Sequence, residues 1–169
     1  MNAVETAARL AADTGKASRA QIEDLLSGER ARVRRVVEVL PADDLSWALG
    51  TEVGAQALRN AIALMPEYYL PGRFDREVAV RFEITRPPGE TVLDTVSFGP
   101  QTCRVLGPEY PGAVALTVYL DGPGFARIAT GLDKGMELMM RGELRVQGDV
   151  QVAMKMEAFF GLDPKGKKR

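Results

Sequence analysis

Histidine is missing altogether from this 169-residue chain, and cysteine occurs once, as Cys103. The first absence removes the usual general base, the Ser-His and Cys-His nucleophile pairs and histidine metal ligands. The second excludes an internal disulfide and a zinc site built from several cysteines. Neither sign of charge dominates: 22 Lys and Arg against 23 Asp and Glu leave a net charge of −1, which gives no electrostatic case for nucleic acid. No apolar run approaches the ~18 residues of a membrane span. The opening MNAVETAARL lacks the basic start and long apolar stretch of a signal peptide. A cytoplasmic, reduced protein is expected. Any catalysis rests on carboxylates, Lys, Tyr, backbone groups or a bound cofactor, and no residue pattern calls for a metal or a cofactor.

What remains is ordinary globular material, 46% hydrophobic and 27% charged. A chain of this size buries roughly 70% of its unfolded surface, enough for one good core. One domain is expected, or one domain with an extension.

The first third reads as helical. Ser18 and Gln21 have the spacing of a capping box, with Ile22, Leu25 and Leu26 on one face and Gly28 as a stop. ERARVRRVVEVL aligns Val33, Val36, Val37 and Leu40 before Pro41 ends the helix. Its arginines at 30, 32, 34 and 35 form either a phosphate-binding patch or, the stronger reading, a solvated face paired with Glu29 and Glu38. Asp43 is expected to cap a short turn carrying Trp47 and Leu49. A longer helix runs from Glu52 to Met65, with Pro66 ending it.

The middle is strand-like. In EVAVRFEIT, Val78, Val80, Phe82 and Ile84 alternate with Glu77, Arg81, Glu83 and Thr85. RPPGE turns the chain, and TVLDTVSF puts Val92, Val96 and Phe98 in phase. A two-residue turn at Gly99-Pro100 sets Val96 opposite Cys103 and Thr95 opposite Arg104, with Cys103 and Val105 on the apolar face. GPEYPG then leads into AVALTVYL, so that a four-strand meander with one apolar face is expected.

The last third changes period. Asp121 is a good N-cap for a helix carrying Phe125, Ile128 and Ala129, and Gly131 follows. KGMELMMR is a short helix that ends at Gly142. ELRVQ alternates, Asp149 caps a helix from Val150, and DPKGKKR is expected to be a disordered basic tail. Four of the seven methionines fall in MMRGELRVQGDVQVAMKM, residues 139–156. On the helix from Val150, the residues Val150, Val152, Ala153, Met154, Met156, Phe159 and Phe160 spread over roughly 220°, beyond the ~100° stripe of a surface helix. Such a helix is buried on two sides. The second apolar neighbour is either another helix or a ligand in a cavity.

The run FARIATGLDKGMELMMRGELRVQGDVQVAMKMEAFF, from Phe125 to Phe160, resembles the C-terminal signature of the sterol carrier protein-2 family. Gly131, Met136, Met139, Met140, Gly142, Leu144, Val146, Gly148, Asp149, Ala153, Met154 and Lys155 stand at its marked places. ALMPEYYLPGRFDREVAVRFEIT resembles the family's opening helix, loop and first strand. The match covers about residues 52–162. It implies an α/β (α+β) fold: a five-stranded, mostly antiparallel sheet with helices on one face enclosing an apolar cavity. It also implies binding of a fatty acyl, sterol-like or other lipid as a carrier or transfer protein. Residues 1–50 are then a helical N-terminal extension, 51–162 the lipid-binding domain and 163–169 the tail.

On this reading the cavity floor is Phe82, Ile84, Val96, Phe98, Val105 and Leu116. Phe125, Ile128, Met136, Met139, Met140, Met154 and Met156 line its roof and mouth. About half of these are expected to touch ligand and the rest to be packing. Asp94 is in phase with Val92, Val96 and Phe98. It either reaches water near the strand end or stands in the cavity as a candidate general acid or base. Glu157, inside the apolar arc of its helix, either snorkels to water near the helix end or is a second candidate acid or base. The alternative function is therefore a cavity enzyme, a cyclase or isomerase acting on a hydrophobic biosynthetic intermediate. The expected partners are a hydrophobic small molecule and, as candidates, a transient membrane contact and a second copy of the chain.

Overall fold

A computed structural model of the chain describes residues 30–156. The expected helix around Ser18 and Gln21, the residues Glu157, Phe159 and Phe160, and the basic run at 163–169 lie outside the described residues. In chain order the elements are α1 (Arg30–Val39), α2 (Ala42–Leu49), α3 (Glu52–Ala63), α4 (Met65–Tyr68), β1 (Val78–Arg86), β2 (Gly89–Phe98), β3 (Cys103–Val105), β4 (Leu116–Asp121), α5 (Gly122–Ala129), α6 (Gly135–Met140), β5 (Leu144–Gly148) and α7 (Val150–Met156).

The helices follow their apolar spacing. Val36, Val37 and Leu40 are buried, as their common face requires. Asp43 does not cap a turn. Residues 42–49 form a full helix with Pro41 at the N-cap position and Asp43 and Asp44 in the first turn. There the carboxylates meet the positive end of the helix, which favours the longer helix over a turn. Thr51 caps α3, its Oγ1 accepting from Gly54 N at 3.1 Å and donating to Ala48 O at 2.6 Å. A Cβ at Gly54 would sit 2.3 Å from Ala48 O, so this junction closes only around glycine. Pro66 does not terminate a helix to Met65. α3 stops at Ala63, and Pro66 lies in the first turn of α4, where no backbone N–H is needed.

The five strands form one mixed sheet in the order β3-β2-β1-β4-β5. Three pairings are antiparallel, and β1 pairs with β4 in parallel. The expected meander is therefore corrected. β4 does not return beside β3 but lies on the far side of β1. Residues 106–115 carry the crossover, and their ends are pinned by Leu106 N donating to Thr95 O at 2.7 Å and Ala115 N to Ala79 O at 2.8 Å. The β2–β3 register is also two residues from the expected one. Val96 stands opposite Val105, Ser97 opposite Arg104 and Phe98 opposite Cys103. The turn holds four residues, with Gly99 N bonded to Thr102 O at 2.8 Å. A slip of two leaves every side chain on its expected face, because strand faces repeat every second residue.

All helices that contact the sheet lie on the face of Val80, Phe82 and Ile84. α3 covers β2, α5 covers β1 and β4, and α7 covers β4 and β5. α1 and α2 pack on α5, and their Val36, Val37, Leu45 and Leu49 belong to the same hydrophobic cluster as Phe82 and Phe125. At the end of β1, the buried Arg86 guanidinium reaches between these layers. Its Nη1 donates to Thr51 O at 3.0 Å and Leu49 O at 3.4 Å, tying the α2–α3 junction to the β1–β2 hairpin. Among the described residues no helix is long and apolar enough to cross a membrane.

Candidate functional site

One row of the sheet shows how the site arises. Asp94, Phe82, Val118 and Val146 stand side by side across β2, β1, β4 and β5. The next row sets Ile84 beside Leu120 and Leu144. Over the β1, β4 and β5 part of these rows lies an apolar cavity of about 50 Å³. Its twelve lining residues are Phe82, Leu116, Val118, Leu120, Leu144 and Val146 from the sheet, Phe125 and Ile128 from α5, Gly135 and Met139 from α6, and Ala153 and Met156 from α7. No side chain among them is polar. Such a space takes hydrocarbon and offers no hydrogen bond to hold a polar group.

The elements around it are fixed by local chemistry. Asp121 caps α5, accepting from Gly124 N at 2.7 Å, and this aims Phe125 and Ile128 at the sheet. Asp133 accepts from Arg127 Nε at 2.7 Å and from Arg141 Nη2 at 3.3 Å, so one carboxylate ties the end of α5 to the end of α6. The Arg127 hydrogen bond, with help from Arg141, holds its carboxyl below the usual range. Gly148 turns β5 into α7 with φ +121°, and a Cβ there would meet Ala115 O at 2.3 Å. Asp149 then caps α7 by accepting from Gln151 N at 2.9 Å. Arg76 lies 3.6 Å from Asp149, and Lys155 Nζ sits 5.7 Å from the centre of the Phe74 ring, so the loop before β1 touches α7 near both ends.

Six of the thirteen residues singled out from the sequence line this cavity: Phe82, Leu116, Phe125, Ile128, Met139 and Met156. Ile84, Val96 and Phe98 are fully buried elsewhere in the core. Phe98 stacks on Phe74 with centroids 5.6 Å apart, under the loop before β1. Val105 is on the edge strand and exposed. Met136, Met140 and Met154 are 44%, 83% and 56% exposed, and Val150 is 54% exposed. Over its described residues α7 therefore buries one side, through Val152, Ala153 and Met156, with Val150 and Met154 outside the buried arc. It packs on β4 and β5, and its outer side carries Val150 and Met154.

Six lining residues were not named as cavity residues, although Leu144, Val146 and Ala153 stand at marked places of the family signature. Leu144 and Val146 lie on the apolar side of the ELRVQ alternation, and Val118 and Leu120 continue the phase of Leu116, so period alone could have found them. Ala153 adjoins the methionines of its helix. Gly135 has no side chain to signal anything.

Asp94 is half-buried on the helix-facing side of β2, but it does not line the cavity. It is separated from Val118 by Phe82 in the same row. Burial raises its carboxyl above the ordinary value, against hydrogen bonds from the Thr95 and Gly107 backbone and the nearby charge of Arg59. Burial also pushes the Cys103 thiol up to about 12. Among the described residues there is no group of His, Cys, Asp and Glu fit to hold a metal.

Helices stacked on one face of a five-stranded mixed sheet, with an apolar cavity between the layers, define an α+β domain built around a greasy interior. Residues 73–161, just over half of the chain, match the model of the SCP-2 sterol transfer family. The chain belongs to that family. Solved structures similar to it include sterol carrier protein 2 from Yarrowia lipolytica in its apo form, 19% identical over 68% of this chain and 80% of that one, with a TM-score of 0.38. Another is sterol carrier protein-2 from Aedes aegypti in complex with palmitate, 20% identical over 64% and 96%, with a TM-score of 0.44. A third is the UbiJ-SCP2 ubiquinone synthesis protein, 24% identical over 69% and 82%, with a TM-score of 0.38. No curated protein matches the sequence.

Proposed function

We propose that the chain binds the hydrocarbon part of a lipid, a fatty acyl chain or a sterol-like molecule, between the sheet and α5–α7, and acts as its carrier. The observation that supports this most is a cavity lined by apolar side chains alone, with Met139 of α6, Val146 of β5 and Ala153 of α7 only partly buried at its edge. At about 50 Å³ the space is several-fold below the roughly 300 Å³ of a site that encloses a small molecule. Occupation therefore requires the lining to part. Met139 and Met156 suit that role, because an unbranched thioether side chain repacks at little cost. Residues 51–162 are taken as the binding unit, and residues 1–50 as an extension whose described part buttresses α5. Binding rather than chemistry is put forward because no lining residue titrates and Asp94 stands apart behind Phe82.

Native purification followed by mass spectrometry of co-purifying small molecules tests the reading. A mixed set of fatty acids or phospholipids supports a carrier. A single unusual biosynthetic compound favours the cavity-enzyme alternative, with Asp94, Glu157 or a tyrosine as acid or base. A protein that carries no lipid and takes up no apolar probe sinks the proposal.

A further inference from the structure

The sheet has a second face, and it is polar. Arg81 and Glu83 of β1 point away from Val80, Phe82 and Ile84, because side chains alternate along a strand. In register with Arg81 stand Thr95 of β2 on one side and Thr117 of β4 on the other, with Gln147 of β5 beyond. The described helices pack on the opposite face, yet Thr95 is 0% and Ser97 3% exposed. Residues 106–115 have to pass β2 and β1 to reach β4, and their passage on this face accounts for that burial.

Most polar groups here have partners. Ser97 Oγ donates to Glu77 Oε1 at 2.6 Å, and Arg104 Nη2 donates to the same oxygen at 2.9 Å. Tyr119 Oη donates to Gln147 Oε1 at 3.1 Å, and the Arg145 guanidinium lies 5.3 Å from the centre of the Tyr119 ring. Two neighbours in the middle differ. Arg81 Nε and Thr95 Oγ1 are both buried, and neither meets a hydrogen-bond partner among the described residues. Glu83 shares the face, but no ion pair joins it to Arg81. Leaving a buried donor or hydroxyl unpaired is costly, and native proteins satisfy nearly all of them.

Both groups can donate, they stand side by side in one row, and one of them is charged. A water molecule serves the hydroxyl and leaves the guanidinium without a counter-charge. An anion answers both, through charge-assisted bonds that the planar fork of arginine suits. Arg81 is only half-buried, so the strip can be reached from solvent.

We propose that this strip binds a small oxyanion, the carboxylate or phosphate group of a soluble compound, with the Arg81 guanidinium gripping it and the Thr95 hydroxyl donating from below. The strip lies across the sheet from the apolar cavity and does not rest on the lipid-binding reading.

Anion titrations of the full chain at constant ionic strength test this. Chloride is replaced stepwise by inorganic phosphate or by acetate, and NMR follows the Arg81 Nε–H and Thr95 amide resonances. Both should shift and saturate in the millimolar range with at least one anion, and the tighter of the two tells a tetrahedral from a planar group. Read on the Thr95 amide, Arg81→Gln should weaken binding about tenfold or more. Thr95→Val should weaken it several-fold and keep the wild-type urea midpoint, because its hydroxyl gives up no partner inside the protein. Both variants should bind a fluorescent apolar probe as the wild type does. The proposal is overturned if neither anion gives a saturating shift, or if the shift survives Arg81→Gln, which marks general screening. Unchanged affinity in Thr95→Val also overturns it, so the test stands even where Arg81→Gln does not fold. A phosphate-soaked crystal in which water alone bridges Arg81 and Thr95 has the same force.

Discussion

Phe82 of β1 and Phe125 of α5 meet edge to face, 6.2 Å between ring centroids and 80° between planes, and both rings line the cavity. The contact joins the sheet to the helix that caps it, so the stability of the fold and the shape of the interior depend on the same pair.

Phe125→Ala should therefore lower the unfolding free energy by about 3–5 kcal/mol in a urea titration, the usual cost of deleting a buried ring. Phe125→Leu should cost distinctly less. An unchanged urea midpoint in the alanine variant would contradict this placement of the ring.

Filling the cavity separates binding from folding. Ala153→Phe projects a ring into the space from α7 at an overpacking cost of roughly 1–3 kcal/mol. Apolar-probe affinity should drop about tenfold while the protein stays folded, on the scale of a few buried methylenes lost to the ligand. If affinity holds, ligand binds elsewhere.

Arg86 offers a second stability test. Arg86→Ala leaves the carbonyls of Leu49 and Thr51 without their donor in a buried junction, and about 1–3 kcal/mol should be lost. Arg86→Lys should recover part of it. Chemical denaturation reads both, and equal stability of all three proteins would rule out the clamp.

Two aspartates should move stability with pH in opposite senses. The Asp133 carboxyl is held low by Arg127 and then Arg141, so it binds its proton more weakly folded than unfolded. Its contribution is present above the ordinary carboxylate range and is lost as pH falls through the depressed value. Asp133→Asn should weaken the protein at neutral pH and flatten the acid limb of its stability curve. The Asp94 carboxyl is raised by burial, so its contribution is present at low pH and disappears as pH rises through the raised value. Asp94→Asn keeps the oxygen that accepts from Thr95 N, and it should stabilise the protein at neutral pH by an amount that fades on acidification. Thermal melts across pH 3–7, a window bracketing the ordinary carboxylate range, compare the two variants. Parallel behaviour would refute the assignment.

Gly148→Ala should be far more harmful than its size suggests. The backbone there lies at φ +121°, and the added Cβ meets Ala115 O. A loss beyond about 1 kcal/mol is expected, since alanine is foreign to that conformation. A near-neutral melt would mean that β5 and α7 can join in another way.

Much of the fold was legible because periodicity is local. The alternation from Val78 to Ile84 and the Asp121 cap each need only neighbouring residues, and both stand where their spacing put them. Pairing is not local. Nothing in AVALTVYL says that Leu116 will stand beside Val80 rather than Val105, because the choice depends on a crossover whose ends bond to Thr95 and Ala79. The same limit divides the site. A helical wheel shows that Met154 and Met156 are both apolar, but only the position of α7 over β4 and β5 decides that Met156 turns in and Met154 out. Cavity residues on β4 and β5 were visible as apolar phases, and their role became visible only when α5 and α6 closed over them.

The parallel pairing of β1 with β4 gives the sheet a seam. On one side, β1, β2 and β3 follow each other through tight turns. On the other, β4 and β5 arrive together and join the rest along the single line from Val80–Leu116 to Thr85–Asp121. Cooperative opening units tend to follow such supersecondary pieces. The cavity straddles the seam, with Phe82 on one bank and Val118 on the other. Whatever occupies it grips both banks, so cargo should act as a rivet, slowing amide exchange first along that line and only later at the hairpin of β2 and β3.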